Sequence, residues 1–232
     1  MLNTLSVLLR GGDRDAWQRA AKSMERQGFS RAAQFHWDGG ALDAWSHPSQ
    51  HDVENCDVRT PTGTACCVGP IWYRGQFGCA ALGRLLDDVS AVGSIDEMQL
   101  RGNFALFLRT QGHCLLLNDV LGLVRVYVSA DGLFYSTSWL AACAYAGSVE
   151  LDEVAATEYV LIGASHSDRT VAQGITKLPL AHAFDLTRRL PQARLSADTW
   201  HTAWVPAAFD ATVDQICSHL QTVCREVATA FP

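Results

Sequence analysis

The feature that most constrains the fold is a run of short apolar segments between residues 103 and 137. Turn signals separate these segments at Gln111-Gly112, at Asn118–Gly122 and at Asp131-Gly132. Short apolar runs bounded by Gly, Asn and Asp are typical of β-strands. We therefore predict four strands in close succession, with the sequences NFALFLR, HCLLLND, VRVYVS and LFYST.

The link between the second and third of these strands contains Asn118, Asp119 and Gly122 instead of a bare two-residue turn. An Asp side chain in a turn can accept hydrogen bonds from nearby backbone amides. Gly gives the backbone a freedom that a side chain would restrict. We interpret these residues as shaping a strand-to-strand connection, so replacing Asp119 with Ala should lower stability by roughly 1 kcal/mol.

Helical patterns are fewer than strand patterns, and they lie between groups of strands. Trp17, Ala20, Ala21 and Met24 follow a candidate N-cap at Asp13 with helical spacing. This arrangement favours an α+β or sheet-layer domain over a doubly wound one. Further predicted elements are a strand at 4–10, a hairpin around Gly39-Gly40, a loop over 47–63, a helix after Gly78, and helices in TSWLAACAYAG and LDEVAATEYVLIG.

Length and charge exclude several classes of protein. A chain of 232 residues suits one large or two small domains. A formal net charge of −6 gives no electrostatic footprint for nucleic acid or an anionic membrane. No apolar window is long enough for a membrane span, and no basic residue precedes the apolar patch near the N-terminus. We therefore expect a cytoplasmic protein with no nucleic-acid or membrane partner.

The cysteines and histidines do not form a recognisable metal site. None of the eight cysteines lies in a CxxC motif, and reduced thiols are expected in the cytoplasm. Cys66 and Cys67 are adjacent in an apolar run, so in a strand their side chains would point to opposite faces. His47 and His51 lie four residues apart, but Pro48 indicates a loop and no other ligands complete a tetrahedral set. We predict no metal.

Four motifs in series resemble the N-terminal domain of asparagine synthetases and their relatives. That family shows G-x-F-A, L-L-x-R-D-x-x-G-x-x-x-L-Y-Y, G-x-x-F-A-S-E and G-I-x-x-L-P-P-G-H, in this order. The order and spacing agree, and Gly174 and Pro179 fall in the last motif. The matching segments are RGNFALFL (101–108), LLLNDVLGLVRVYV (115–128), DGLFYSTSWLAA (131–142) and GITKLPLAH (174–182), with VGPIWYR (68–74) as a degenerate form of the family's N-G-E-I-Y-N.

The resemblance implies a fold and a chemistry. The fold is a four-layer αββα sandwich of two mainly antiparallel sheets, of the N-terminal-nucleophile hydrolase type. In active members the mature N-terminal Cys attacks the side-chain amide of glutamine. The ammonia released passes to a synthetase domain, which uses ATP and magnesium.

This sequence departs from the active pattern at the positions that carry the chemistry. Leu2 occupies the expected nucleophile position, and Val68 stands where the family has the oxyanion-hole Asn, although its Gly partner survives as Gly69. One oxyanion donor alone is worth about 3 kcal/mol of barrier, and a covalent route needs its nucleophile. The glutamine-binding Arg-Leu and S-D-x-E motifs have no counterpart. The resemblance therefore implies a vestigial pocket, similar to the state of β-lactam synthetases and lasso-peptide cyclases.

The resemblance also implies a division of the chain. Residues 1–190 would form the amidotransferase-like domain, 191–209 a linker, and 210–232 the first helix of a ligase domain that continues beyond this sequence. No cofactor is expected for this chain, since ATP and magnesium would bind the ligase domain. That domain, on the same or a separate chain, is the expected partner, and a homodimer is possible.

Two alternatives remain open. One is a glutamine-hydrolysing asparagine synthase proper, which would need processing that exposes a nucleophile other than Leu2. The other is a stand-alone binding or scaffold protein with a vestigial pocket. In that protein the last helix would pack back on its own domain and bury its apolar stripe, whereas the ligase interpretation expects the stripe to be poorly covered. The stripe comprises Val213, Ile216, Cys217, Leu220, Val223, Cys224 and Val227.

Overall fold

The computed structural model describes residues 4–48, 56–96, 99–165, 167–180, 182–193 and 209–230. Within these ranges the chain forms fifteen strands and five helices. The helices are α1 (Arg14–Arg26), α2 (Gly78–Val92), α3 (Trp139–Ala146), α4 (Glu153–Ile162) and α5 (Phe209–Ala230). The strands are β1 (Thr4–Leu9), β2 (Ser30–Trp37), β3 (Gly40–Ser46), β4 (Cys56–Thr60), β5 (Gly63–Val68), β6 (Ile71–Tyr73), β7 (Gln76–Phe77), β8 (Leu100–Gly102), β9 (Ala105–Thr110), β10 (Cys114–Asn118), β11 (Tyr127–Ser129), β12 (Phe134–Ser136), β13 (Ile175–Lys177), β14 (His182–Asp185) and β15 (Leu190–Ala193).

Two six-stranded antiparallel sheets form the centre of the fold. Sheet A has the strand order β13-β11-β12-β1-β3-β2, and sheet B has the order β15-β14-β10-β9-β5-β4. A small sheet, β7-β6-β8, extends from the end of β5. Antiparallel neighbours joined by short turns account for half of these pairings, in line with the succession of hairpin signals in the sequence.

The apolar side chains separate into three layers of core. The first lies between the sheets, the second between sheet B and α2, and the third between sheet A and the pair α1 and α3. The α+β prediction and the four-layer αββα sandwich are therefore confirmed. Representative residues are Leu5, Val7, Leu42, Phe107 and Leu116 in the first layer, Leu82, Leu85, Leu106 and Leu117 in the second, and Trp17, Met24, Phe134 and Ala141 in the third.

Local sequence explains the clearest of these elements. Asp13 caps α1, since its side chain accepts hydrogen bonds from the backbone of Asp15 at 2.8 Å and Ala16 at 3.2 Å. Cys66 packs between the sheets and Cys67 packs toward α2. The prediction that these two thiols point to opposite faces is therefore confirmed. Successive side chains of β5 alternate between the two faces of sheet B, so this strand contributes to two core layers.

The four strands predicted between 103 and 137 are present, but they belong to different sheets. β9 and β10 form a hairpin in sheet B, whereas β11 and β12 form one in sheet A. The link after Asn118 is therefore a crossover between the two sheets. The sequence did not predict this division, because apolar periodicity reports burial and not the partner of a strand.

Asp119 organises that crossover. Its carboxylate accepts backbone hydrogen bonds from Leu121 and Leu123, both at 3.1 Å, and from Val124 at 3.0 Å. The Asp119 residue itself is 3% exposed, and its own N–H donates to the carbonyl of Phe104 at 2.8 Å. The link thus satisfies its backbone donors locally while the chain leaves sheet B, which a buried connection requires.

Gly122 fits the same turn for a steric reason. Its φ is +61°, a left-handed conformation that side chains disfavour. A Cβ at this position would lie 2.1 Å from Cδ2 of Leu180. The crossover therefore packs directly against the segment that follows β13.

Two predictions about irregular segments need correction. The loop predicted over 47–63 contains β4, because its backbone pairs with β5 at the edge of sheet B even though its sequence is polar. The linker predicted from residue 191 begins as part of β15, which pairs with β14. Residues 49–55 and 194–208 lie outside the described ranges, and the division into domains stays a prediction.

Replacing Asp119 with Ala should lower the free energy of unfolding by about 2 to 3 kcal/mol, because it leaves partly and fully buried N–H groups without an acceptor. Asp119→Asn retains one side-chain oxygen and should cost less. Urea denaturation measures both variants. The matched control is Asp87→Ala in α2, an exposed carboxylate whose loss should change stability by less than about 0.5 kcal/mol. Equal midpoints for Asp119→Ala and Asp87→Ala would contradict this role.

Candidate functional site

Val68 lies at the end of β5, where the resemblance places an oxyanion-hole Asn. Its side chain is 1% exposed and belongs to the core between the sheets. An isopropyl group cannot donate a hydrogen bond, so the Val68 side chain cannot stabilise an oxyanion. Leu2, the residue at the expected nucleophile position, lies outside the described residues, and its role stays a prediction.

Gly69 has a structural reason to be glycine. Its φ is +90°, and a Cβ there would lie 2.1 Å from the carbonyl oxygen of Asn103. The backbone between β5 and β6 therefore passes against the backbone that enters β9. This close approach explains why position 69 is a glycine without assuming a catalytic role for it.

The predicted motif residues lie in two places on the fold. Val68 and Asn118 are both cross-strand neighbours of Ala105, so the structure brings them to the same end of sheet B. Gly174 lies in the turn before β13 with φ +75°, on the sheet A side. Pro179 follows Leu178, whose N–H donates to the carbonyl of Val126 at 2.8 Å. None of these positions lines either of the two described cavities that follow.

The described residues contain no group of three or more His, Cys, Asp and Glu side chains that could hold a metal ion. Among the helices that can be described, none is long and apolar enough to cross a membrane.

One described cavity is rich in arginine. It has a volume of about 350 Å³ and lies at the end of the sandwich opposite Val68, where β1 ends and three hairpin turns meet. Burial raises the pKa of the Cys114 thiol in its floor to about 12, so this thiol is protonated at neutral pH and is a poor nucleophile. The other lining residues include Arg10, Trp37, Arg109, His113 and Arg189.

A second described cavity, here called the aromatic cavity, has a volume of about 510 Å³. It lies against the outer face of sheet A, beside the edge strand β13, and α4 and the loop after it form its other wall. Sequence reasoning missed it because its residues come from five separate segments, and the motifs that contain Tyr127, Trp139 and Lys177 do not indicate that these side chains meet α4. Its side chains include Arg125, Tyr127, Trp139, Tyr159, Ser165 and Lys177.

Helix α5 presents an apolar stripe to solvent. Val213, Ile216 and Leu220 are 38%, 54% and 56% exposed, and Val227 is 41% exposed. The same helix contacts the small sheet through Glu226, which lies 3.5 Å from the guanidinium of Arg101. This contact lies in the C-terminal part of α5, and the four stripe residues named above each stay more than a third exposed.

Comparison with known proteins finds likeness at the level of solved structures. No protein-family model matches this sequence, and no curated protein matches it. A solved structure titled glutamine phosphoribosylpyrophosphate (PRPP) amidotransferase from B. subtilis, complexed with ADP and GMP, is similar over 83% of this chain and 49% of its own, with 10% identity and a TM-score of 0.43. A likeness this weak carries no argument, so the fold assignment rests on the sheets and layers described above. This chain spans about half the length of that structure.

Gly69→Ala should destabilise the protein by at least about 2 kcal/mol more than Gly75→Ala, because only the first places a methyl group against a backbone carbonyl. Gly75 is the matched control: its φ of +73° imposes a similar backbone strain, and a Cβ there meets nothing within 4 Å. Denaturant unfolding of the two variants measures the difference. Similar losses at the two positions would show that Gly69 is not held by the Asn103 contact.

Proposed function

We propose that this chain is an amidotransferase-like domain that does not hydrolyse glutamine and instead serves an ATP-dependent amide-forming domain. In this role it contributes a folded partner and shapes the substrate region. ATP and magnesium bind the partner domain, which lies on the same or a separate chain. The proposal follows the family resemblance in the four motifs, and two structural observations support it.

The observation that carries the proposal is the environment of Val68. Hydrolysis of an amide through a covalent intermediate needs donors aimed at the developing oxyanion. At the position where the resemblance expects an Asn amide, Val68 is instead buried in the core between the sheets. Gly69 persists beside it, but its contact with Asn103 explains that persistence through packing. This combination supports loss of the chemistry with retention of the fold.

The uncovered stripe on α5 supports the second half of the proposal. A stand-alone scaffold would bury this stripe against its own domain, yet Ile216 and Leu220 are each more than half exposed. Burying a Leu or Ile side chain is worth roughly 1.5 to 3 kcal/mol, so such a stripe gains stability from a partner surface. The partner proposed is the amide-forming domain, whose first helix α5 resembles.

Replacing Ile216 or Leu220 with Asp should weaken association with the amide-forming domain by roughly tenfold or more, since a tenfold change corresponds to about 1.4 kcal/mol. Co-elution of the purified chain with that domain, and the rate of ATP-dependent amide formation, measure the effect. Gln221→Asp is the matched control, because Gln221 is exposed on the same helix and outside the stripe. Unchanged co-elution of the stripe variants would contradict the proposed partner surface.

A further inference from the structure

We infer that the aromatic cavity is a binding site for a planar aromatic anion, a ring bearing a carboxylate or a phosphate. The site lies on the outer face of sheet A, whereas the vestigial pocket would lie between the sheets. The inference is therefore independent of the proposed function.

The walls of the cavity are held in place by a set of specific contacts. Arg169 forms an ion pair with Asp152 at 2.6 Å, and Asp152 also caps α4 through the N–H of Ala155 at 3.0 Å. These contacts fix the loop after α4 to the start of that helix. The next residue of the same segment, Thr170, accepts a hydrogen bond from the indole N–H of Trp139 at 3.4 Å. Residues 169–170 are thus tied both to the start of α4 and to the start of α3.

Three aromatic rings supply most of the contact surface for a planar ligand. Tyr127 comes from β11, Trp139 from the start of α3 and Tyr159 from α4. Tyr159 is 57% exposed, although aromatic side chains are usually covered. Cavities of roughly 300 to 1,000 Å³ lined by aromatic side chains and a few polar groups are typical of small-molecule sites. A ligand ring packed against these side chains would bury apolar surface.

Two cations give the site its charge preference. Lys177 is the direct cross-strand partner of Tyr127, so the two side chains lie on the same face of sheet A. The Lys177 ammonium donates to the carbonyl of Ser165 at 3.0 Å and to its hydroxyl at 2.7 Å. Among the described residues, nothing occupies its third N–H, and the guanidinium of Arg125 has no ion-pair partner. Both can therefore contact an anionic group.

The charges around Lys177 act in both directions. Burial, together with the guanidinium of Arg125, lowers the pKa of Lys177, while Asp168 and Glu158 act to raise it. Neither carboxylate is among the residues that line the cavity. A bound carboxylate or phosphate would relieve the repulsion between Arg125 and Lys177, which favours an anionic ligand over a neutral one.

Selective labelling of Lys177 tests this inference. Lys22 and Lys177 are the lysines of this sequence, and Lys22 is exposed on α1, so it serves as an internal control. The probe is 4-formylbenzoate, whose aldehyde condenses with an amine with loss of water, and borohydride then reduces the imine to a stable secondary amine. Benzaldehyde, which lacks the carboxylate, corrects for the intrinsic reactivity of each lysine. Peptide mass spectrometry reads the labelling at both positions.

The expected result is a Lys177-to-Lys22 labelling ratio about fivefold higher with 4-formylbenzoate than with benzaldehyde, the size of one partly exposed charge-assisted contact. Arg125→Gln and Tyr159→Ser should each reduce that excess, and both replace exposed side chains, so folding should persist. Arg84→Gln, which replaces an exposed arginine on α2, should leave the excess labelling of Lys177 unchanged.

A competition experiment gives a second readout. Excess 4-methylbenzoate should protect Lys177, whereas acetate should not. Equal ratios for the two aldehydes, or equal protection by acetate, would overturn the inference.

Discussion

The passage of the chain from sheet B to sheet A depends on one buried carboxylate. Asp119 accepts three backbone hydrogen bonds in the segment that leaves β10. Without that acceptor, the buried amide of Val124 and the partly buried amides of Leu121 and Leu123 would lack a partner, and this would cost free energy. The chain can therefore leave one sheet for the other without unpaired polar groups at the Asp119 turn. The charged link that interrupts the apolar segments stabilises this passage, while the apolar side chains between the sheets hold the sheets together.

Much of this fold could be predicted from local sequence. The local sequence reports burial directly in the continuous apolar runs of β9 and β10, the helical spacing of α1, and the adjacent thiols of Cys66 and Cys67. Strand partners do not follow from the same signal, which is why the assignment of β11 and β12 to the second sheet was missed. β4 was missed because an edge strand pairs through its backbone and tolerates a polar sequence.

The candidate sites were less predictable than the fold, for different physical reasons. Val68 and Gly69 could be singled out because they fall in a motif. The structure explains why Val68 carries an apolar side chain and why Gly69 carries none. The aromatic cavity could not be predicted in this way, because the motifs that contain Tyr127 and Lys177 do not point to a shared cavity. These two residues meet Tyr159 only after sheet A and α4 have formed. The contacts within the cavity are set by tertiary packing, which neither the periodicity nor the spacing of residues in the sequence predicts.

In the proposed function, the fold is retained and its glutaminase chemistry is lost. The positions that shape the backbone, Asp119, Gly122 and Gly69, each have a steric or hydrogen-bonding reason to persist, whereas Val68 serves the core and cannot serve an oxyanion. The most direct measurement is ammonia release from glutamine by the isolated, purified chain, with its intact mass checked. The account predicts no release above that of a buffer control. Release at an ordinary enzymatic rate, on the order of 1 s⁻¹ or faster, would contradict it.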